Sequence, residues 1–232
     1  MLFKQLFENE SCTYTYLISC PDKKEAVLID PVIETIERDL YILKSLGLKL
    51  TYAIDTHIHA DHVTSASALR EITNCKVAGP ANDNLKCRDI NFRDKDSLTL
   101  GSSLEIKAFH TPGHTDTHFS YVLEHNERKI LFSGDALLID ACGRTDFQSG
   151  SSKELFNTIK KFFYSMPDDT RVYPAHDYNN KSCSTILHQK NDNHLIDHKI
   201  NLKNFVQKMN DLKLDKPKKI DIAVPKNNKC GS

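Results

Sequence analysis

Residues 56–62 read Thr56-His57-Ile58-His59-Ala60-Asp61-His62, placing three imidazoles and a carboxylate within six positions directly after the strand-like run 50–55. Imidazole and carboxylate suit zinc or ferrous iron, and spacing this tight lets one loop present several ligands without a cage of cysteines. Three further motifs put another hard ligand where a strand is expected to end: Thr111-Pro112-Gly113-His114, Ser133-Gly134-Asp135 and Tyr173-Pro174-Ala175-His176. Histidines scattered over a polar surface would not be joined by such a set, so these residues are read as a metal site.

The chain of 232 residues suffices for one large domain or two small ones, and 39% apolar with 27% charged is ordinary globular composition. Thirty-one basic residues balance thirty-one acidic ones, so no overall field recruits nucleic acid or an anionic membrane. The Lys-rich stretch 213–219 reads as a solvated linker. The N-terminal residues have neither a signal peptide's apolar core nor a transit peptide's composition, and no stretch reaches the roughly 18 apolar residues of a membrane span, so a cytoplasmic enzyme is expected. Seven scattered cysteines with no Cys-x-x-Cys argue against a disulfide framework or a thiolate zinc knuckle, and reduced thiols are expected.

Runs 13–19 and 25–30, separated by Pro21-Asp22-Lys23, read as an antiparallel strand pair. Ile36, Leu40, Leu43 and Leu46 fall at helical spacing before Gly47, and 50–55 reads as the strand that leads into the His-rich loop. A short helix over 64–72 and strands over 76–79, 104–109, 119–124 and 129–132 follow. Ser151-Ser152-Lys153-Glu154 resembles a capping box, and Leu155, Ile159, Phe162 and Phe163 form an apolar stripe, which predicts a helix over 152–164 and then a strand at 171–173. A helix over 198–209 and an extended tail complete what reads as one domain over 1–232. Blocks of strands and helices with polar ligands at strand ends predict a layered α/β sandwich with its site along the edge of two sheets.

His57, His59, Asp61, His62, His114, Asp135 and His176 are enough ligands for two metals, and one metal needs far fewer. A ferrous dioxygenase requires two histidines and one carboxylate on one face, whereas a dinuclear hydrolase would use nearly the full set with Asp135 bridging two ions. The spacing is compatible with both.

The order of these motifs resembles that of the metallo-β-lactamase superfamily, which implies an αββα sandwich of two mixed sheets. Within it, the stretches 11–16, 26–31, 134–139, 142–148, 173–178 and 220–225 are similar to the persulfide dioxygenases and span nearly the whole chain. That resemblance implies one Fe(2+) per chain held by His57, His114 and Asp135, with His59, Asp61, His62 and His176 nearby as supporting groups or a vestigial second metal site. It further implies glutathione persulfide and O2 as substrates, sulfite and glutathione as products, a homodimer, and a rhodanese-type sulfurtransferase acting in trans.

Arg144, Asp146 and Tyr178 are assigned to substrate binding: the Arg144 guanidinium matches a carboxylate, either on the substrate or on Asp146, and the Tyr178 hydroxyl follows His176 by two residues. His118 and His110 are read as structural and Cys142 as a packed thiol. The competing reading is a dinuclear zinc thioester hydrolase of the glyoxalase II type, which shares fold, motif order and a glutathione-linked substrate. A catalytically silent binding protein on the same scaffold would have lost ligands, and none is missing.

Overall fold

The computed structural model describes residues 1–178 and 180–232. β1 (Leu2–Glu8), β2 (Thr13–Cys20), β3 (Glu25–Ile29), β4 (Lys49–Ile54), β5 (Lys76–Pro80) and β6 (Ile90–Phe92) form one sheet in that order, antiparallel up to β3 and parallel beyond it. The second sheet is built from β7 (Ser97–Leu100), β8 (Leu104–His110), β9 (Phe119–His125), β10 (Arg128–Gly134), β11 (Arg171–Pro174) and β12 (Ser184–Thr185). Its pairings are antiparallel except that of β10 with β11. The expected pair of mixed sheets is therefore present. The sequence reading passes over β1 and the short strands β6 and β7, which lie at sheet margins.

Among the described residues, six α-helices flank the sheets. α1 (Ile36–Ser45) and α2 (Ala66–Thr73) pack on the first, where Leu17, Leu28, Ala53 and Val77 meet Leu43 and Leu69. α3 (Ser152–Asn157), which continues through a π-turn and a 3-10 turn to Ser165, packs with α4 (Ile186–Asp192) and α5 (Leu202–Asp211) on the second. Between the sheets Tyr16, Ile18, Ile29 and Ile54 face Ile106, Phe119, Tyr121 and Phe132. Coverage on both faces explains why β2 is buried at every position, whereas β8, buried only at alternate positions from Leu104 to Ala108, keeps Glu105 and Lys107 in water.

Ser151 does cap α3, its Oγ accepting from the Glu154 N–H at 3.3 Å. Two expectations are corrected. Where an extended tail is expected, residues 220–227 form α6 (Ile220–Asn227), with Pro225 inside it. Cys87 and Cys230, 143 residues apart, form a disulfide, so not every thiol is free.

Chain direction places the site. β3 and β4 are parallel, and β8, β10 and β11 run in a common direction because β9 is antiparallel to both β8 and β10. Their C-terminal ends open onto one edge of the sandwich, where the Phe119 N–H donates to the Thr56 carbonyl at 2.9 Å and the Tyr14 N–H to that of Ala175 at 2.7 Å. Gly113 lets the β8 loop approach α3: its φ is +139°, and a Cβ there would stand 2.3 Å from the Leu155 Cα. Gly113→Ala is expected to cost roughly 2–4 kcal/mol of unfolding free energy, read by urea denaturation, and an unchanged midpoint would contradict this packing.

Candidate metal centre

The loop that leaves β4 carries His57, His59, Asp61 and His62, the one after β8 carries His114, and Asp135 and His176 follow β10 and β11. All seven expected ligands meet at the sheet edge. His57, His114 and Asp135 each offer an atom within 4.8 Å of the others, and so do His59, Asp61 and His62. Asp135 Oδ2 lies 3.3 Å from His114 Nε2 and 3.9 Å from His57 Nε2, while Oδ1 lies 3.3 Å from His176 Nε2.

Each imidazole is fixed by an acceptor behind it. Carbonyl and carboxylate oxygens only accept, so the nitrogen facing one must donate, and the opposite nitrogen is the one available to a metal. His114 Nδ1 donates to the Arg144 carbonyl at 2.8 Å, and His176 Nδ1 to that of Cys12 at 3.3 Å. His62 Nδ1 donates to Asp61 Oδ2 at 2.9 Å, and His59 Nε2 to Asp30 Oδ1 at 3.0 Å. The Thr56 hydroxyl donates to Asp30 and accepts from His57 Nδ1 at 2.9 Å. Five inward nitrogens are thus ready to coordinate, with the outer-shell support that metal-binding histidines require.

Asp135 is held from behind by His118, whose Nε2 accepts the Asp135 N–H at 3.1 Å while Nδ1 contacts Thr111 Oγ1 at 2.9 Å. Burial, reinforced by His114, pushes the His118 imidazole down to about 3, so it stays neutral. The structural role expected for His118 is therefore in fact a positioning one. Asp30 and Thr56 are two other supports that the sequence reading passed over. Asp30 ends β3 within the Ile29-Asp30-Pro31 segment, and nothing in that segment points to a histidine 29 residues on.

The electrostatics call for a cation. Burial would lower the His176 imidazole, but Asp135 and Asp61 raise it to about 10, which is the signature of two carboxylates that favour positive charge beside them. Asp135 Oδ1, His59 Nδ1 and His62 Nε2 are buried without a hydrogen-bond partner, an arrangement that a metal ion would satisfy. The residues fit a metal, and hard oxygen and imidazole donors with no thiolate fit ferrous iron or zinc.

A cavity of about 540 Å³ opens over His57, Asp61, His114, Asp135 and His176, within the range of small-molecule sites. His59 and His62 lie behind it. Arg144 and Tyr178 line it, whereas Asp146 is an exposed partner of Arg144. The Arg144 fork is occupied: Nε and Nη2 each meet Asp146 at 2.7 Å, and Nη1 donates to the Asp215 carbonyl at 2.6 Å. Arg144 therefore braces the cavity wall. Leu212, Leu214, Asp215 and Pro217 belong to that wall, so the stretch read as a solvated linker borders the site instead. Tyr178 stacks on His176 at 5.6 Å, and the residue is 65% exposed. Cys142 is a packed thiol as expected, 3.7 Å from Met209 Sδ and pushed up to about 12 by burial.

Among the described residues, no helix is long and apolar enough to cross a membrane. The family model of the metallo-beta-lactamase superfamily matches residues 12–176. Persulfide dioxygenase ETHE1, mitochondrial, from Mus musculus is 42% identical over 233 aligned residues, covering 100% of this chain and 89% of that protein. The crystal structure of ETHE1 from Myxococcus xanthus superimposes with a TM-score of 0.95 at 43% identity, covering all of both chains. Hydroxyacylglutathione hydrolase from a Polaromonas strain is 32% identical and covers 80% of this chain and 70% of its own length. The chain belongs to the metallo-β-lactamase superfamily and, within it, to the persulfide dioxygenases.

Proposed function

We propose that this protein is an iron-dependent dioxygenase that oxidises glutathione persulfide with O2 to sulfite and glutathione. The observation that carries the reading is the convergence of His57, His114 and Asp135 on one wall of an open cavity, two imidazoles and one carboxylate with the opposite side free. Full-length similarity to persulfide dioxygenases supports it, and the hydrolase relative matches at lower identity over less of the chain.

A ferrous ion bound there would supply adjacent open positions at which a sulfur anion and dioxygen can exchange electrons. The chain's own residues do the remaining work. The Arg144 carbonyl and the Thr56 hydroxyl accept the Nδ1 protons of His114 and His57 and so turn the two Nε2 atoms inward. His118 fixes the Asp135 backbone, and the Leu195, Leu212 and Leu214 side chains exclude water from one side of the cavity. Arg144 shapes the substrate face by holding the carbonyls of Leu214 and Asp215. The homodimer, the sulfurtransferase in trans and cytoplasmic placement are the family-level and compositional parts of the proposal; the mouse relative is named mitochondrial.

Protein purified without air is expected to contain one iron per chain and to take up oxygen only when persulfide is added. Two zinc ions per chain with hydrolysis of a glutathione thioester would overturn the reading in favour of the hydrolase. Asp135→Ala removes the only carboxylate of the triad and should lower iron retention at least roughly tenfold; wild-type iron content with normal turnover would contradict its role. Arg144→Lys keeps the charge but loses the fork, and should raise KM roughly tenfold at unchanged iron content. Wild-type kinetics for that variant would remove Arg144 from the cavity wall.

A further inference from the structure

We infer that Asn227, the last residue of α6, is a positioning residue for the metal centre: it sets the backbone of the loop that presents the ligands of β4, and the Cys87–Cys230 disulfide keeps it there. The inference rests on the proposed metal site but not on the identity of the metal or the substrate.

The loop from Asp55 to Ser65 has no helix or strand of its own, so its backbone groups need partners from elsewhere. Asn227 supplies three with one side chain. Its Nδ2 donates to the carbonyls of His59 at 2.9 Å and His62 at 2.8 Å, and its Oδ1 accepts the Thr64 N–H at 2.9 Å. The carboxamide is 4% exposed, so every one of these bonds is made away from water and would be costly to leave unmade. The two accepting residues are the ones whose imidazole rings lie tilted 4.2 Å apart, and His57 stands two residues before the first of them.

The segment beyond Asn227 is held at three more points, one on the loop itself, one on α2 behind it and one on the first sheet. The Cys230 carbonyl accepts the Ser67 N–H at 3.1 Å, satisfying a donor in the first turn of α2, whose Ser65 makes no side-chain cap. Gly231, at φ +88°, lies so close that a Cβ would fall 1.9 Å from the Thr64 carbonyl oxygen. The disulfide then joins Cys230 to Cys87, between β5 and β6, tying the end of the chain to the first sheet. A side chain more than 160 residues from the ligand loop in sequence is thus delivered to it by a helix, a backbone contact and a covalent bond.

Outer-shell groups of this kind tune metal affinity by roughly 10- to 100-fold. Two readings do not depend on turnover: the rate at which a chelator removes ferrous iron, and the visible absorption of cobalt(II) substituted into the site. Asn227→Leu, close in shape and unable to hydrogen-bond, is expected to release iron roughly tenfold faster and to shift the cobalt bands. Asn228→Leu, at the exposed neighbouring position, should match wild type on both. Cys87→Ser opens the disulfide, leaves Asn227 in the sequence, and should move both readings in the same direction by less.

A folded Asn227→Leu protein with wild-type release and cobalt spectrum would overturn the inference. If that variant does not fold, Cys87→Ser decides alone, and wild-type values there would overturn it. Protein that ignores persulfide yet responds to Asn227→Leu would sink the proposed substrate and leave the positioning role standing.

Discussion

Asp135 lies 3.3 Å from two imidazole nitrogens whose rings have already committed their protons to the carbonyls of Arg144 and Cys12. A buried carboxylate there requires positive charge beside it, from the raised His176 imidazole or from a metal ion, and this constraint organises the centre. Everything else can be traced back to keeping those groups converged. The strands that end there run in a common direction, His118 grips the Asp135 backbone, and Asp30 secures both Thr56 and His59.

That same wiring gives His59 and His62 a structural role that does not depend on an ion. His59 and His62 are tied into hydrogen bonds with Asp30 and Asp61 and buried at 1% and 0% exposure, so they work as structural cross-links whether or not they touch an ion. Removing either would take one hydrogen bond from a carboxylate, the buried Asp30 or the half-buried Asp61, a loss of the order of 1–3 kcal/mol. Their retention in the sequence therefore does not require a second metal.

The ligands themselves were legible because each sits at a strand end inside a short motif, and local spacing carries that signal. The substrate wall was not. Leu212, Leu214 and Pro217 line the cavity where Arg144 captures the carbonyls of Leu214 and Asp215, some 70 residues away, and a Lys-rich composition gives no hint of it. α6 is short and contains a proline, features that give a weak helical signal, and the disulfide joins two unremarkable cysteines 143 residues apart. Asn227 was invisible for the same reason: three hydrogen bonds to a distant loop leave no periodic trace. The strands β6 and β7, three and four residues long, were too short to stand out from turns.

The central claim is a single iron gripped from one side by His57, His114 and Asp135. X-ray absorption at the iron edge, on protein loaded anaerobically, reads the surroundings of that ion directly. Two imidazole donors and carboxylate or water oxygens, with no scattering from a second metal, are expected. A metal–metal vector of roughly 3.5–4 Å, with Asp135 shared between two ions, would contradict the claim.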